Sequence, residues 1–266
     1  DTLAVSTAIE VVGLAWIDRQ ATQVLLIGNS YSYANDLGGM IESLGESGGH
    51  RARVTTRAVG GWWLNDHATS PDTVDLIETG EWDYVVLQEQ SIVPSYPPER
   101  TGSMYPSVRA LNRSIETIDA TPMLFLTWGR TNGFSDVGHP SYVSMQDAIT
   151  EAYESIGVEV AGVIAPVGEA WRTVRIEHPT IDLYEPDGSH PSISGTYLAA
   201  CVFYASLFGE SPEGLDYHAD LGSGLARTLQ RIAADTVLGE ADRWRVTSDR
   251  EAVPWADPDR PCEPAR

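Results

Sequence analysis

The stretch Val24-Leu25-Leu26-Ile27-Gly28-Asn29-Ser30 decides the predicted fold. Its apolar half is short enough for a buried strand, and small or polar residues follow it immediately. Similar apolar runs recur along the chain, separated by longer amphipathic segments. Strands that alternate with helices form right-handed crossovers and a sheet covered on both faces. The sequence therefore predicts an α/β protein with a mostly parallel sheet.

The predicted elements alternate over most of the chain. The predicted strands are Val24–Ile27, Val54–Val59, Tyr84–Leu87, Met123–Thr127 and Val158–Ala165. The predicted helices lie near Leu37–Leu44, Trp62–Thr79, Tyr105–Thr117, Tyr142–Ser155, Ser194–Phe208 and Ser223–Leu238. Stretches rich in proline or glycine, long enough to be functional loops, are Pro94–Gly102, Asn132–Pro140 and Glu185–Pro191. We expect a single domain over residues 1–239 and a polar tail over 240–266 that packs on it or trails from it.

The composition excludes several classes of protein. A chain of 266 residues that is 42% hydrophobic can fill a core of its own. It has 38 acidic and 17 basic residues and a net charge of −21, and every basic residue is arginine. This charge disfavours nucleic acid as a partner. The lysine-free, acidic composition suits a salt-rich medium, although a lineage that avoids lysine would give it too. No apolar run reaches the roughly 18 residues of a membrane span.

Cysteine and histidine usage indicates neither a disulfide framework nor a metal site. Cys201 lies in an apolar run and is expected in the core, and a bridge to Cys262 would require an oxidising compartment. No histidines have the spacing of metal ligands, so we expect no metal and no other cofactor. The sequence begins at Asp1 without methionine, as it would after removal of a signal peptide or of a tag, and removal of a signal peptide would imply a secreted or periplasmic protein.

Polar blocks follow the predicted strands, at the edge where open parallel sheets bind ligands. These blocks are Gly28-Asn29-Ser30, Gly60-Gly61, Gln88-Glu89-Gln90-Ser91, Trp128-Gly129-Arg130 and Pro166-Val167-Gly168. Ser30 lies at the start of a helix, where it could be a nucleophile or simply cap the next turn. No G-x-G-x-x-G follows the strand, which excludes the dinucleotide-binding motif.

A nucleophilic serine needs a base, and the base needs an orienting group. Asp187-Gly188-Ser189-His190 lies ahead of the helix near Ser194. Three-residue spacing in a turn lets the Asp187 carboxylate reach Nδ1 of His190, which leaves Nε2 free to face a hydroxyl. The alternative is that Asp187 and Ser189 are turn residues and His190 is a surface histidine.

In their order and spacing, these blocks resemble those of the SGNH/GDSL hydrolase superfamily over most of the chain. The resemblance implies a three-layer α/β/α sandwich with a flavodoxin-like, mostly parallel sheet of about five strands. It also implies ester hydrolysis through an acyl-enzyme, with Ser30 as nucleophile, His190 as general base and then acid, and Asp187 as the orienting group. The oxyanion hole would use the N–H groups of Ser30 and Gly61, with Gly60 as the alternative to Gly61.

Two blocks depart from the pattern of the superfamily. The usual Gly-Asp-Ser is Gly28-Asn29-Ser30 here, which exchanges a structural carboxylate for an amide of the same shape. The usual Gly-x-Asn-Asp is replaced by the Gln88-Glu89-Gln90-Ser91 block. Gln90 falls where the asparagine is expected and would be the third oxyanion donor, with Gln88 as the alternate. This block resembles that of a less-characterised branch, which leaves the substrate open.

Side chains beside these blocks are candidates for substrate binding. The aromatic candidates are Tyr31, Trp62, Trp63 and Trp128, since flat rings suit sugars or the apolar part of a small ester. Trp62 or Trp63 could equally open a buried helix face. Arg130 could meet an anionic substrate group or pair with a carboxylate. His67 is expected to face solvent along its helix.

The leading hypothesis is a serine esterase that removes a short acyl group, such as acetyl, from a sugar or another small alcohol. One alternative is an acyltransferase that uses the same triad. The other is a non-catalytic carbohydrate-binding domain on the same scaffold. The expected partner is a small-molecule or carbohydrate ester, and the sequence leaves the oligomeric state open.

Overall fold

A five-stranded parallel sheet forms the centre of the computed structural model, which describes residues 21–246. Its strands are β1 (Thr22–Gly28), β2 (Ala52–Ala58), β3 (Tyr84–Leu87), β4 (Thr121–Phe125) and β5 (Val163–Ala165). They lie in the order β2-β1-β3-β4-β5, and each neighbouring pair is parallel. This confirms the predicted flavodoxin-like α/β fold. The strand order reverses between β1 and β3, so their carboxyl ends flank the crevice in which such sheets bind ligands.

Helices cover both faces of the sheet. They are α1 (Ser30–Tyr33), α2 (Leu37–Ser47), α3 (Leu64–Ala68), α4 (Pro71–Thr79), α5 (Tyr105–Glu116), α6 (Tyr142–Glu159), α7 (Val167–Glu177), α8 (Ile193–Phe208), α9 (Ser223–Leu238) and α10 (Ala241–Trp244). On one face α2, α7, α8 and α9 pack against one another, and on the other α5 packs against α3 and α4. Right-handed crossovers place α2 on one face and α3, α4 and α5 on the other, because the chain moves across the sheet in one direction from β1 to β2 and in the opposite direction from β2 to β3 and β4.

The central strands are buried on both faces. Val24–Ile27 of β1 and Val85–Leu87 of β3 have no exposed surface. Such strands are continuous apolar runs because helices cover each side of a parallel sheet. α8 is buried along almost its whole length, and its Cys201 is fully buried. Cys262 lies outside the described residues, and so does the suggested bridge between the two.

The structure differs from the predicted elements at three places. The helix predicted over Trp62–Thr79 is two helices, because Pro71 begins α4 and its ring cannot continue α3. α7 was missed, because Pro166-Val167-Gly168 resembled a loop but forms the start of this helix. The strand predicted over Val158–Ala165 is only its last three residues, since α6 continues to Glu159.

Two segments predicted as irregular contain helix. The predicted loop Pro94–Gly102 is largely helical, with short segments at Val93–Ser95, Pro97–Glu99 and Arg100–Met104. After Glu240, α10 brings Trp244 into the core, where its side chain is fully buried. Residues up to 246 therefore pack on the domain, and the rest of the predicted tail lies outside the described residues. Within residues 21–246, no helix combines the length and apolarity that crossing a bilayer requires.

Candidate active site

Asn29, at the exit of β1, fixes the backbone on which Ser30 sits. Its side-chain oxygen accepts a hydrogen bond from the N–H of Tyr31 at 3.2 Å and caps α1. Its own N–H donates to Oε1 of Gln88 at 2.8 Å, and its side-chain nitrogen donates to the carbonyl of Trp62 at 2.9 Å. An aspartate could not donate this last bond. The asparagine of the first block therefore ties it to the second and third blocks.

The loop between Tyr184 and α8 brings His190 to Ser30. Nε2 of His190 lies 2.9 Å from Oγ of Ser30, and Nδ1 lies 2.5 Å from Oδ2 of Asp187. Oδ1 of Asp187 accepts the N–H groups of Ser189 and His190, each at 2.9 Å. The hydrogen bond from His190, together with these N–H donors, lowers the pKa of Asp187 to about 2. Asp187 is therefore ionised at neutral pH, and as an acceptor it directs the Nδ1 proton of His190 toward itself.

The side chains of Tyr31 and Trp128 hydrogen-bond Ser189 of this loop and so fix its position. The hydroxyl of Tyr31 lies 2.6 Å from that of Ser189, and the indole N–H of Trp128 donates to the carbonyl of Ser189 at 2.9 Å. The two rings stack at 4.6 Å, and Trp171 of α7 stacks on the other face of Trp128 at 3.8 Å. Both Tyr31 and Trp128 are buried. The prediction that they bind substrate is wrong, because their ring faces are covered and their polar atoms position the loop.

Trp62 and Trp63 are partly exposed beside the second block. The guanidinium of Arg57 lies over the Trp62 ring at 5.7 Å, and His67 contacts the ring edge at 4.9 Å. Trp63 packs partly against the core. These two rings keep surface that a substrate could contact, and their role stays a prediction.

His67 is buried, which corrects the prediction that it faces solvent. Its Nε2 lies 2.8 Å from the carbonyl of Gly28, and its Nδ1 lies 3.2 Å from the hydroxyl of Thr73. Burial lowers the pKa of His67 and favours the neutral ring. A neutral ring donates from Nε2 to Gly28 and accepts the Thr73 hydroxyl at Nδ1. His67 thus fastens α3 and α4 to the exit of β1.

The second block forms a tight turn beside Asn29. The N–H of Trp62 donates to the carbonyl of Val59 at 3.1 Å, and Gly61 has a φ of +77°. A positive φ at the third position of a four-residue turn is the reason glycine is found there. Gly60 and Gly61 are exposed, and their N–H groups donate to no acceptor within residues 21–246. Both N–H groups are therefore available to a ligand.

The two glutamines of the third block have different surroundings. Gln88 is fully buried, and its Oε1 accepts bonds from the N–H of Asn29 and the hydroxyl of Ser32. Its amide nitrogen donates to the carbonyl of Glu89, so the suggestion that Gln88 is an alternate oxyanion donor is not supported. Gln90 is partly exposed, and its Oε1 caps the N–H of Ile92 at 2.8 Å. Its amide nitrogen has no acceptor in the described part of the chain and can donate to a ligand.

Glu89 joins the second and third blocks through one buried carboxylate oxygen. Its Oε1 accepts the N–H groups of Leu64 at 3.0 Å and Gln90 at 2.7 Å. Oε2 is buried and lacks a hydrogen-bond partner among residues 21–246. Burial raises the pKa of Glu89 to about 7, with a smaller contribution from the charge of Asp66. In the sequence, Glu89 stood out only as a member of the polar block, and nothing there indicated that its carboxylate would connect Leu64 with Gln90.

We predict that Glu89 makes folding stability depend on pH. The folded chain holds the Glu89 proton up to about pH 7, whereas the unfolded chain releases it near its ordinary pKa. Stability therefore falls as pH rises between those values, by about 3 kcal/mol at most. Urea unfolding at a series of pH values should show a smaller fall in Glu89→Gln, which keeps the Oε1 acceptor. The control is Glu213→Gln, at an exposed position. Parallel curves for wild type and Glu89→Gln would contradict the prediction.

The remaining candidate, Arg130, lies just beyond β4. It is partly exposed, and its Nη2 donates to the hydroxyl of Ser91 at 3.4 Å.

Within residues 21–246, no three histidine, cysteine, aspartate or glutamate side chains lie close enough together to hold a metal ion. The described residues thus bring Ser30, His190 and Asp187 together, with free N–H donors on the neighbouring second and third blocks.

Comparison with known proteins gives matches only among solved structures. No protein-family model matches the chain, and no curated protein sequence matches it. Among solved structures, it is similar to a protein from Slackia heliotrinireducens assigned to the SGNH hydrolases, with 28% identity and a TM-score of 0.59 over 70% of this chain and 99% of that one. It is also similar to a DUF4886 family protein from Bacteroides uniformis, with 20% identity and a TM-score of 0.70 over 82% of this chain and 95% of that one.

A further similar structure is a catalytic mutant of Axe2, an acetylxylan esterase from Geobacillus stearothermophilus. It shares 14% identity and a TM-score of 0.54, over 69% of this chain and 93% of that one. In this chain Ser30, His190 and Asp187 lie together at the carboxyl edge of the five-stranded parallel sheet. The similarity to the Slackia heliotrinireducens protein supports the resemblance to the SGNH-like hydrolases that the motifs predict.

Proposed function

We propose that this protein is a serine esterase that hydrolyses small carboxylic esters at Ser30. The observation that carries the proposal is the 2.9 Å contact between Ser30 Oγ and Nε2 of His190, whose Nδ1 is held by Asp187. This is the relation between nucleophile, base and orienting group that acyl transfer requires. Ser30 is partly exposed, so an ester can reach its hydroxyl.

The proposed reaction has two stages. In the first, Ser30 Oγ attacks the carbonyl carbon while Nε2 of His190 takes the hydroxyl proton. The tetrahedral intermediate collapses, the ester C–O bond breaks, and His190 returns its proton to the leaving alcohol. In the second, a water molecule gives a proton to His190 and attacks the acyl-enzyme. The bond between the acyl carbon and Ser30 Oγ then breaks and His190 returns its proton to Oγ, which releases the acid and restores the Ser30 hydroxyl.

The negative oxygen formed at each stage needs preorganised donors. We assign this role to the N–H groups of Ser30 and Gly61, with Gly60 beside the latter, and to the amide of Gln90. Gly61 and Gln90 keep N–H groups that no acceptor within residues 21–246 occupies. The loss of one such donor typically costs about 3–4 kcal/mol of barrier. Glu89 fixes the segment after Gly61 relative to the segment that carries Gln90, because its Oε1 accepts the N–H groups of both Leu64 and Gln90.

The proposed substrate carries a short acyl group, such as acetyl, on a sugar or small alcohol. Trp62 and Trp63 offer partly exposed rings next to the turn at Gly61. An acetylxylan esterase is among the proteins of similar fold. The same triad would serve an acyltransferase if an alcohol intercepted the acyl-enzyme before water did, and the scaffold alone would serve a carbohydrate-binding domain.

Labelling with a fluorophosphonate tests the proposal. We expect one label per chain, located on Ser30 by peptide mass spectrometry, because His190 activates this hydroxyl alone. We also expect acetate release from para-nitrophenyl acetate at a rate that excess acetyl ester slows in competition. Added sugar alcohols that collect the acyl group would indicate the acyltransferase. Sugar binding without any label would indicate the binding domain and would refute the esterase.

A further inference from the structure

The backbone of Arg130 lies against the loop that carries His190. The N–H of the next residue, Thr131, donates to the carbonyl of Gly188 at 2.9 Å. Gly188 lies between Asp187 and His190 and has a φ of +68°. The start of Arg130 is therefore fixed relative to the catalytic loop, and its side chain begins at the same edge of the sheet.

The side chain of Arg130 reaches the third block. Nη2 donates to the hydroxyl of Ser91 at 3.4 Å, and the guanidinium lies over the ring of Phe134 at 4.7 Å. Burial raises the pKa of Tyr31, whereas hydrogen bonding by Ser189, and then by Ser91, and the positive charge of Arg130 oppose this rise. Ser91 and Arg130 thus face the same phenol, which lies 2.6 Å from Ser189 of the catalytic loop.

The positive charge of Arg130 has no partner of opposite charge among the described residues. Its Nε is buried and makes no hydrogen bond within residues 21–246. Within residues 21–246, the arginines that form an ion pair with a carboxylate include Arg53, Arg57, Arg100, Arg109, Arg172, Arg231 and Arg243. Arg175 is also partly buried and without an ion pair within residues 21–246, but its guanidinium donates to the carbonyl of Thr131 and lies over the rings of Tyr142 and Tyr184.

A cation removed from water without a counter-charge is costly, and a bound anion would remove that cost. A guanidinium matches a carboxylate in shape and donates two parallel hydrogen bonds to it. We propose that Arg130 binds a carboxylate of the substrate and that the protein therefore prefers anionic esters. This inference rests on the proposed esterase activity and names the chemical class of its substrate.

Matched ester pairs test the preference. Para-acetoxybenzoate and its methyl ester compare a carboxylate with a neutral group on the alcohol side. Para-nitrophenyl hemisuccinate and para-nitrophenyl butyrate make this comparison on the acyl side. Assays in about 0.15 M salt, where the Debye length is about 8 Å, screen repulsion from the net charge. We expect kcat/KM to favour the anionic ester of one pair by about 10- to 100-fold.

Variants assign that preference to Arg130. Arg130→Gln should bring the ratio of anionic to neutral kcat/KM close to one, and Arg130→Lys should restore part of it. The control Arg227→Gln removes the same charge from an exposed position and should leave the ratio as in wild type. The proposal is overturned if neither pair shows a preference, or if the preference survives in Arg130→Gln.

Binding to an inactive protein separates this inference from the esterase itself. Calorimetry with Ser30→Ala should show that para-acetoxybenzoate binds more tightly than its methyl ester, and that the added Arg130→Gln change removes the difference. If no ester is turned over but this difference is found, the proposed reaction fails and the anion site stands. If esters are turned over but the difference is absent, the esterase stands and the anion site fails. A purely structural role for Arg130 would weaken both ligands equally.

Discussion

Ser30→Ala is expected to lower kcat for para-nitrophenyl acetate on the order of 10⁶-fold. The variant keeps the donors of the proposed oxyanion hole but has no nucleophile to form the acyl-enzyme. His190 could then only assist direct attack by water, which explains why a small residual rate would remain. The hydroxyl of Ser30 bonds His190 at 2.9 Å and leaves the cap of α1 to Asn29. The fold should therefore be unaffected.

The measurement pairs kinetics with stability. A lost hydrogen bond of about 1 kcal/mol lowers Tm by only about 2–4 °C in a chain of this size. Ser155→Ala is the matched control, since Ser155 is exposed on α6 and its hydroxyl bonds only the carbonyl of Glu151. Fluorophosphonate should label the control and wild type equally and leave Ser30→Ala unlabelled. A Ser30→Ala variant that folds and keeps a tenth of the activity would place the reaction elsewhere.

The parts of the site that were predictable depend on local spacing and on strand order. Tyr84–Leu87 matches β3 because an apolar run between Asp83 and Gln88 has the length of a buried strand. Asp187 and His190 meet because three-residue spacing in a turn brings their side chains together. Ser30 lies 160 positions from His190, and their contact follows from both lying at the carboxyl edge of one parallel sheet.

The parts that were not predictable depend on contacts between layers. Trp128 follows β4, and the sequence does not show whether a ring there faces solvent or a covering helix. The missed helix α7 supplies Trp171, which stacks on Trp128 at 3.8 Å and buries it. His67 lies on a helix of five residues, too short for its period to show which face is buried. Glu89 was unremarkable in sequence, since its role depends on Leu64 from another segment.

Asp187→Asn is expected to lower kcat about 10⁴-fold at neutral pH while the loop keeps its shape. The asparagine oxygen can still accept the N–H groups of Ser189 and His190, as Oδ1 of Asp187 does. The new NH₂ group would replace Oδ2 opposite Nδ1 of His190, so this nitrogen must become the acceptor. The ring proton then moves to Nε2, the atom that must accept the Ser30 proton. With the proton on Nε2, His190 can no longer accept the proton of Ser30 and cannot act as the general base.

Two observations test this explanation for Asp187→Asn. KM should change little, because Asp187 touches His190 and backbone N–H groups and not the expected acyl site. Asp182→Asn is the matched control, since Asp182 is an exposed residue of the same connection and accepts the N–H of Tyr184 in the same way. It should keep wild-type activity. Nitrogen NMR of labelled histidine should show the Nδ1–H tautomer of His190 in wild type and the Nε2–H tautomer in Asp187→Asn. An unchanged tautomer with a large loss of kcat would mean that Asp187 acts through its charge on the protonated imidazole and not through orientation.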